Sequence, residues 1–388
     1  MYPITVIAAA VALLSATAIA APVESAETYD LLADLNKQAI DALTASGAGN
    51  KRSSCNIFNA RYRRDWASFS TTERKDYISA VQCMLTSPSK SDPAFAPGAR
   101  NRYDDFVAVH INQTVQIHGT GNFLTWHRYF VHSYEEALRN ECGYKGAQPY
   151  WNWMKNQDDL TKSPVFDGSE TSLSGNGAYV QHNGSLGGAG AIFLPSGKGG
   201  GCVTSGPFSN MTVNLGPVNP GMDGMKASPN GRLAYNPRCL RRDLNSYVAT
   251  NWFTNQNLLN ITLGPASHSI GLFQNELQGR FSDKFLGMHA AGHFSVNGDA
   301  SDLFSSVVDP SFFLHHAMVD RVYWVWQALH LVDGIASDLA GTITLNNNPP
   351  SRNALKTDML NMGVNAASAT IGDVLNTLGG SPLCYLYI

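Results

Sequence analysis

The chain has 388 residues, 44% of them apolar and 15% charged, with a formal net charge of −3 at pH 7. That is enough apolar sequence for a large core in one or two domains, which excludes a disordered chain. Basic runs such as Arg61-Tyr62-Arg63-Arg64 are too short for a nucleic-acid or membrane-surface footprint.

Ile4 to Ala20 is apolar and Ala-rich, lacks a basic residue ahead of it, and ends in Ala18-Ile19-Ala20 before Ala21-Pro22. This is the pattern of a signal peptide cut after Ala20 or Ala21, and it is shorter than the ~20 residues a membrane span needs. Residues 1–20 are therefore expected to direct secretion, with no membrane attachment after cleavage. Ala26 to Asn50 reads as a polar helix, followed by Lys51-Arg52. The dibasic pair is either a processing site, making residues 21–52 a leader, or an ordinary surface pair. Residues 53–388 read as one domain.

Behind a signal peptide, the even set Cys55, Cys83, Cys142, Cys202, Cys239 and Cys384 favours three disulfides, with fifteen pairings open. No CxxC occurs, which argues against a thiolate zinc site. Asn112, Asn183, Asn210 and Asn260 head glycosylation sequons. Asn112 must face outward if it is glycosylated.

Ala60 to Met84 reads as a core helix around Trp66, Tyr77, Ile78, Val81 and Met84. Arg102 to Tyr134 then supplies His110, His118 and His127. His110 and His118 are separated by ~12 Å of helical rise, too far to ligate one ion from a straight helix. His110 is thus expected to end one helix, His118 to sit in the loop at Gly119 and Gly121, and His127 to ride the next helix. Trp126, Trp151 and Trp153 are expected to wall the core. Ser163 to Gly231 reads as long ordered loops tied by Cys202 and Cys239. Short helical pieces follow from Leu240 to Gly287.

Gly287 to Trp326 is the most informative stretch. His289 and His293 are four apart and share a helix face. After a Gly-containing loop, Asp309-Pro310 opens a helix carrying His315 and His316. Neighbouring helical residues point about 100° apart, so only one of these two can join His289 and His293. Asp320-Arg321 is expected to form a structural ion pair. Residues Asp333 to Ile388 read as a wrap returning to Cys384 and Tyr385-Leu386-Tyr387. His132, His182, His268 and His330 lack a partner at ligand spacing and read as surface or core. Two all-imidazole triplets on two helix pairs disfavour magnesium, calcium, di-iron and structural zinc; they suit copper, or a catalytic zinc with an open position.

At these residues the chain resembles the type-3 copper proteins, the tyrosinases, catechol oxidases and hemocyanins, and among them the short secreted fungal polyphenol oxidases. The resemblance runs from about Cys55 to Tyr387. It rests on GxxxFLxWHRxFxxxxExxL at Gly119 to Leu138, PYWxW at Pro149 to Trp153, HxxxH at His289 and DPxFFLHHxxVDRxxxxWQ at Asp309 to Gln327. It implies a mainly α fold, an antiparallel four-helix bundle holding a dinuclear copper site. It assigns His110, His118 and His127 to one copper and His289, His293 and His316 to the other. O2 and small phenols are the implied partners, with o-diphenols oxidised to o-quinones. By the same resemblance Phe312 packs on the site and orients an imidazole; His315 cannot face the same copper and reads as a histidine behind the ligands or in the core. Leu303 or Phe304, in the loop after His293, is expected to cover the first copper and gate substrate size.

Three positions depart from the family pattern. Gln116 stands where many fungal tyrosinases carry a Cys cross-linked to a ligand, so no thioether forms. Ala290 stands where many have an Asn, and Gln278 where an acidic residue helps deprotonate monophenols. Strong diphenol and weak monophenol activity is therefore expected, on small phenols or o-aminophenols. A full tyrosinase is the nearest alternative. A hemocyanin-like O2 carrier is another; the short stretch after Gln327 disfavours a shielding domain, and a single chain without repeats fits a monomer or weak homo-oligomer. A zinc hydrolase would need a Glu where Ala290 stands.

Overall fold

The computed structural model describes residues 30–47 and 54–388. The expected signal segment and Lys51-Arg52 lie outside the described residues. The fold is mainly α, with helices α1 (Leu31–Ala45), α2 (Thr71–Thr86), α3 (Arg102–Ile117), α4 (Phe123–Cys142), α5 (Ser246–Trp252), α6 (Asn255–Thr262), α7 (Ile270–Gln278), α8 (Gly287–Val296) and α9 (Ser311–Leu329). The core bundle is α3, α4, α8 and α9, with α3 on α4, α4 on α9 and α8 on α9.

Local chemistry sets where these helices begin and end. Ser70 with Glu73, and Asn101 with Asp104, form reciprocal capping boxes that start α2 and α3. The helix expected from Ala60 therefore starts only at Thr71; the residues before it form the strand Arg61–Arg63 and a 3-10 turn at Trp66–Ser68. Gly143 closes α4 in the left-handed conformation, which glycine adopts without a Cβ clash. Between α3, α4 and α9 an aromatic cluster fixes the helix spacing: Tyr134 stacks on Phe313 at 3.5 Å, and Phe106 meets Phe130 at 5.6 Å.

The loops do what their composition indicated. Residues 163–231 form short two-stranded ribbons, stapled by Cys202–Cys239. Cys83–Cys142 ties α2 to the end of α4, and Cys55–Cys384 brings the C-terminal wrap home. There Tyr385–Tyr387 pairs in parallel with Arg61–Arg63. Asn112 is exposed on α3. Helix α1 is not polar all round; it packs Leu31, Leu32, Leu35 and Ala39 against α9.

Beneath this seam lies a buried charge network. Arg63 bonds Glu135 (2.7 Å) and Asp320 (3.3 Å), and Arg128 bonds Asp320 (2.6 Å). The Tyr385 and Tyr387 hydroxyls also donate to Asp320, at 2.6 and 2.7 Å. The expected Asp320–Arg321 pair does not form. Side chains at adjacent helical positions diverge by about 100°. Arg321 instead lies over the Tyr150 ring and donates to Asn36 of α1.

Candidate metal centre

Six of the described histidines converge as two facing clusters at the centre of the bundle, with a seventh, His315, beside the second. His110 stands in the middle of α3, not at its end as the sequence spacing implied, because α3 runs on to Ile117. His118 still reaches it. As the C-cap residue it turns to extended backbone (φ −123°, ψ 141°), bringing its ring 5.1 Å from that of His110. His127, one turn into α4, completes the cluster at 4.9 Å from His118.

Backbone carbonyls fix which nitrogen of each ring is free. Nδ1 of His110 lies 2.7 Å from the Phe304 oxygen, His118 Nδ1 3.0 Å from Thr114, His127 Nδ1 2.8 Å from Phe123 and His293 Nδ1 3.0 Å from Ala300. A carbonyl only accepts, so these rings carry their proton on Nδ1 and turn the Nε2 lone pair inward. Burial pushes the imidazoles toward the neutral form that ligates metal: His118 to about 4, His293 to about 3, and His110, His127, His289 and His316 well below 6.5.

The clusters fit metal ions. Nε2 of His110 and of His127 are buried with no partner, a costly state unless something else binds them. In the second cluster His293 Nε2 lies 3.2 Å from both His289 Nε2 and His316 Nε2. Nitrogens held about 2.0–2.1 Å from one tetrahedral ion would be roughly 3.3 Å apart. His127 stacks on His316 at 4.5 Å, so the two clusters face each other directly. Phe312 bridges them, 4.1 Å from the His316 ring and 5.3 Å from that of His110. His315 stacks at 5.6 Å on His289, with neither nitrogen bonded.

A cavity of ≈ 250 Å³ opens onto His118, His289 and His293. Gln278, Ala290 and Leu303 line it, whereas Phe304 turns its carbonyl to His110. The Gln278 Oε1 accepts from the Gly119 N–H at 2.9 Å. Among the described residues the one carboxylate lining the cavity, that of Asp302, accepts from four backbone N–H groups, those of Val218, Asn219, Phe304 and Ser305. Sequence reasoning missed Asn275, Phe281, Phe294 and Asn346 in the lining. Asn275 was within reach, three residues before Gln278 on one helix face; Asn346 arrives from the C-terminal wrap and carries no signature.

Two tri-imidazole clusters on a four-helix core define a type-3 dicopper protein. Residues 100–329 match the common central domain of tyrosinase. The chain is 41% identical over 321 residues to the tyrosinase-like protein orsC of Emericella nidulans, covering 79% of this chain and 84% of that one. It is 39% identical to the N-acetyl-6-hydroxytryptophan oxidase ivoB of the same organism, over 86% of this chain and 93% of that one. A polyphenol oxidase mutant from Thermothelomyces thermophila superposes with a TM-score of 0.85 at 41% identity, covering 92% of this chain and 97% of that one. The chain belongs to the tyrosinase family.

Proposed function

We propose that this dicopper oxidase takes small o-diphenols to o-quinones with O2 and hydroxylates monophenols poorly. The observation behind this reading is that, among the described residues, no free carboxylate stands over the histidine clusters. The adjacent hydroxyls of a catechol lose protons readily on a metal, whereas a monophenol needs a positioned base. Asp302 is saturated by backbone N–H groups, Gln278 is neutral with its oxygen on Gly119, and Ala290 offers no polar atom to hold a water.

When bound, the copper pair supplies the two-electron exchange between phenol and O2. The chain's own part is to hold and exclude. Backbone carbonyls fix four rings, and Phe312 stacks against His316. His316, not His315, is the sixth ligand in this reading, since its Nε2 meets that of His293. Leu303, half-exposed at the cavity mouth, limits substrate size.

The double substitution Gln278→Glu with Ala290→Asn tests the missing base; Glu keeps the acceptor for Gly119. Monophenol hydroxylation should rise about tenfold or more, since a positioned base contributes roughly 10²–10⁴-fold, with catechol oxidation little changed. No gain in a variant that still loads copper would contradict the reading. One relative's name favours a second reading, in which monohydroxylated indoles are substrates; oxygen uptake with a hydroxyindole decides it.

The apolar leading segment supports secretion. A secreted protein beginning at Ala21 or Pro22, with no form trimmed after Arg52, would leave residues 21–52 as part of the mature chain.

A further inference from the structure

Accepting the cavity as the phenol site, we propose that its mouth selects uncharged o-diphenols whose substituent hydrogen-bonds to Asn275 and Asn346, and discriminates against carboxylated ones. Three amides line the mouth. Asn275 and Gln278 come from one face of α7, and Asn346 comes from the C-terminal wrap. They meet at Gly119. Gln278 accepts its N–H, its carbonyl accepts from the Asn346 N–H at 3.1 Å, and a Cβ there would sit 2.5 Å from the Asn346 Oδ1. Any side chain at Gly119 would therefore displace the Asn346 amide oxygen.

Gln278 is committed to this seam, but the side chains of Asn275 and Asn346 have no hydrogen-bond partner among the described residues. Each offers one donor group and one acceptor to whatever enters. Phe281, Phe294 and Leu345 add apolar surface to the lining.

Among the described residues, no Lys or Arg lines the cavity. The nearest cations in sequence are engaged elsewhere: Arg280 with Glu276 and Asp283, and Lys284 with the Ala191 carbonyl. Asn275 and Asn346 are themselves exposed, so a carboxylate on the substrate would lose only part of its water at the mouth, but it would meet no counter-charge there. A carboxamide of the same shape would exchange its water for the two asparagines.

The test pairs 3,4-dihydroxyphenylacetamide with 3,4-dihydroxyphenylacetate, whose methylene insulates the ring from the substituent. Copper-loaded protein should bind the amide about tenfold or more tightly than the acid under anaerobic conditions, the low end for a charge desolvated without a partner. In air kcat/KM should follow the same order. Asn275→Arg should shift the ratio toward the acid by about tenfold, removing most of the amide preference, while Asn275→Gln keeps it. Equal binding of the pair, or no change in the ratio for Asn275→Arg, would overturn the proposal. So would tighter binding of the acid that disappears in Lys284→Gln. A binding ratio as expected without oxygen uptake would sink the oxidase reading and leave this selectivity standing; brisk oxidation of both at equal kcat/KM would do the opposite.

Discussion

In the first histidine cluster every ring is anchored through Nδ1. His118 and His127 bond carbonyls four residues back, at Thr114 and Phe123, and His110 bonds Phe304 in the loop between α8 and α9. In the second cluster only His293 is anchored this way, to Ala300. His316 Nδ1 is buried without a partner, and its ring is held by stacking on Phe312. One site is thus set by directional bonds, mostly local in sequence, and the other by packing. A hydrogen bond fixes both tautomer and orientation, whereas packing fixes only where a ring can fit. The first site is the more preorganised, and the second depends on α8 and α9 staying close.

Removing a ligand from either cluster should have the largest effect. His127→Ala and His293→Ala should each drop copper from two per chain to one and cut oxygen uptake at least about 100-fold, since losing even a partner behind a ligand typically costs 10–100-fold. Phe312→Ala touches both sites and should cost about 3–5 kcal/mol of stability, read as a fall in Tm. If its copper loss were confined to the first site, the stacking assigned to His316 would be wrong.

Gly292→Ala sharpens the contrast. A Cβ there would lie 2.0 Å from the His315 ring, so α8 and α9 must part. The cost should be about 1–3 kcal/mol, as for other overpacked cores, with copper lost from the second site first. Equal loss from both would show that the sites are not separately held.

The smallest effect is the pH dependence of the copper-free protein. Well above about 6.5 the six cluster histidines are neutral folded or unfolded, so they add little pH dependence. As pH falls below 6.5 the unfolded chain takes up protons that the buried rings refuse, down to about 4 for His118 and about 3 for His293. Stability should decline with falling pH through that window, and copper, which also holds the rings deprotonated, should raise the stability without flattening the decline. Denaturant midpoints with and without copper, from pH 7 to 5, measure it.

Much of the centre was legible because imidazole ligands must recur at helical spacing, as His289 and His293 do, or flank a break, as His118 does at Gly119. The position of His110 was not, since a helix reading through to Ile117 and a capping histidine that turns back look the same as a helix ending early. Three disulfides were legible from six cysteines, but their pairing depends on how the wrap returns, which no local signal records. Asp320 illustrates the same limit. Its partners Arg63 and Arg128 are far away in sequence, while its neighbour Arg321 points elsewhere. The cavity mouth was least legible, because Asn346 and Phe281 are ordinary residues that become a lining only through folding.

The most direct test is oxygen uptake by the copper-loaded protein with 4-methylcatechol and with its monophenol counterpart, p-cresol. Uptake should be rapid with the catechol and slow, after a lag, with the cresol. Comparable initial rates with both would contradict the claim that the cavity lacks a working base.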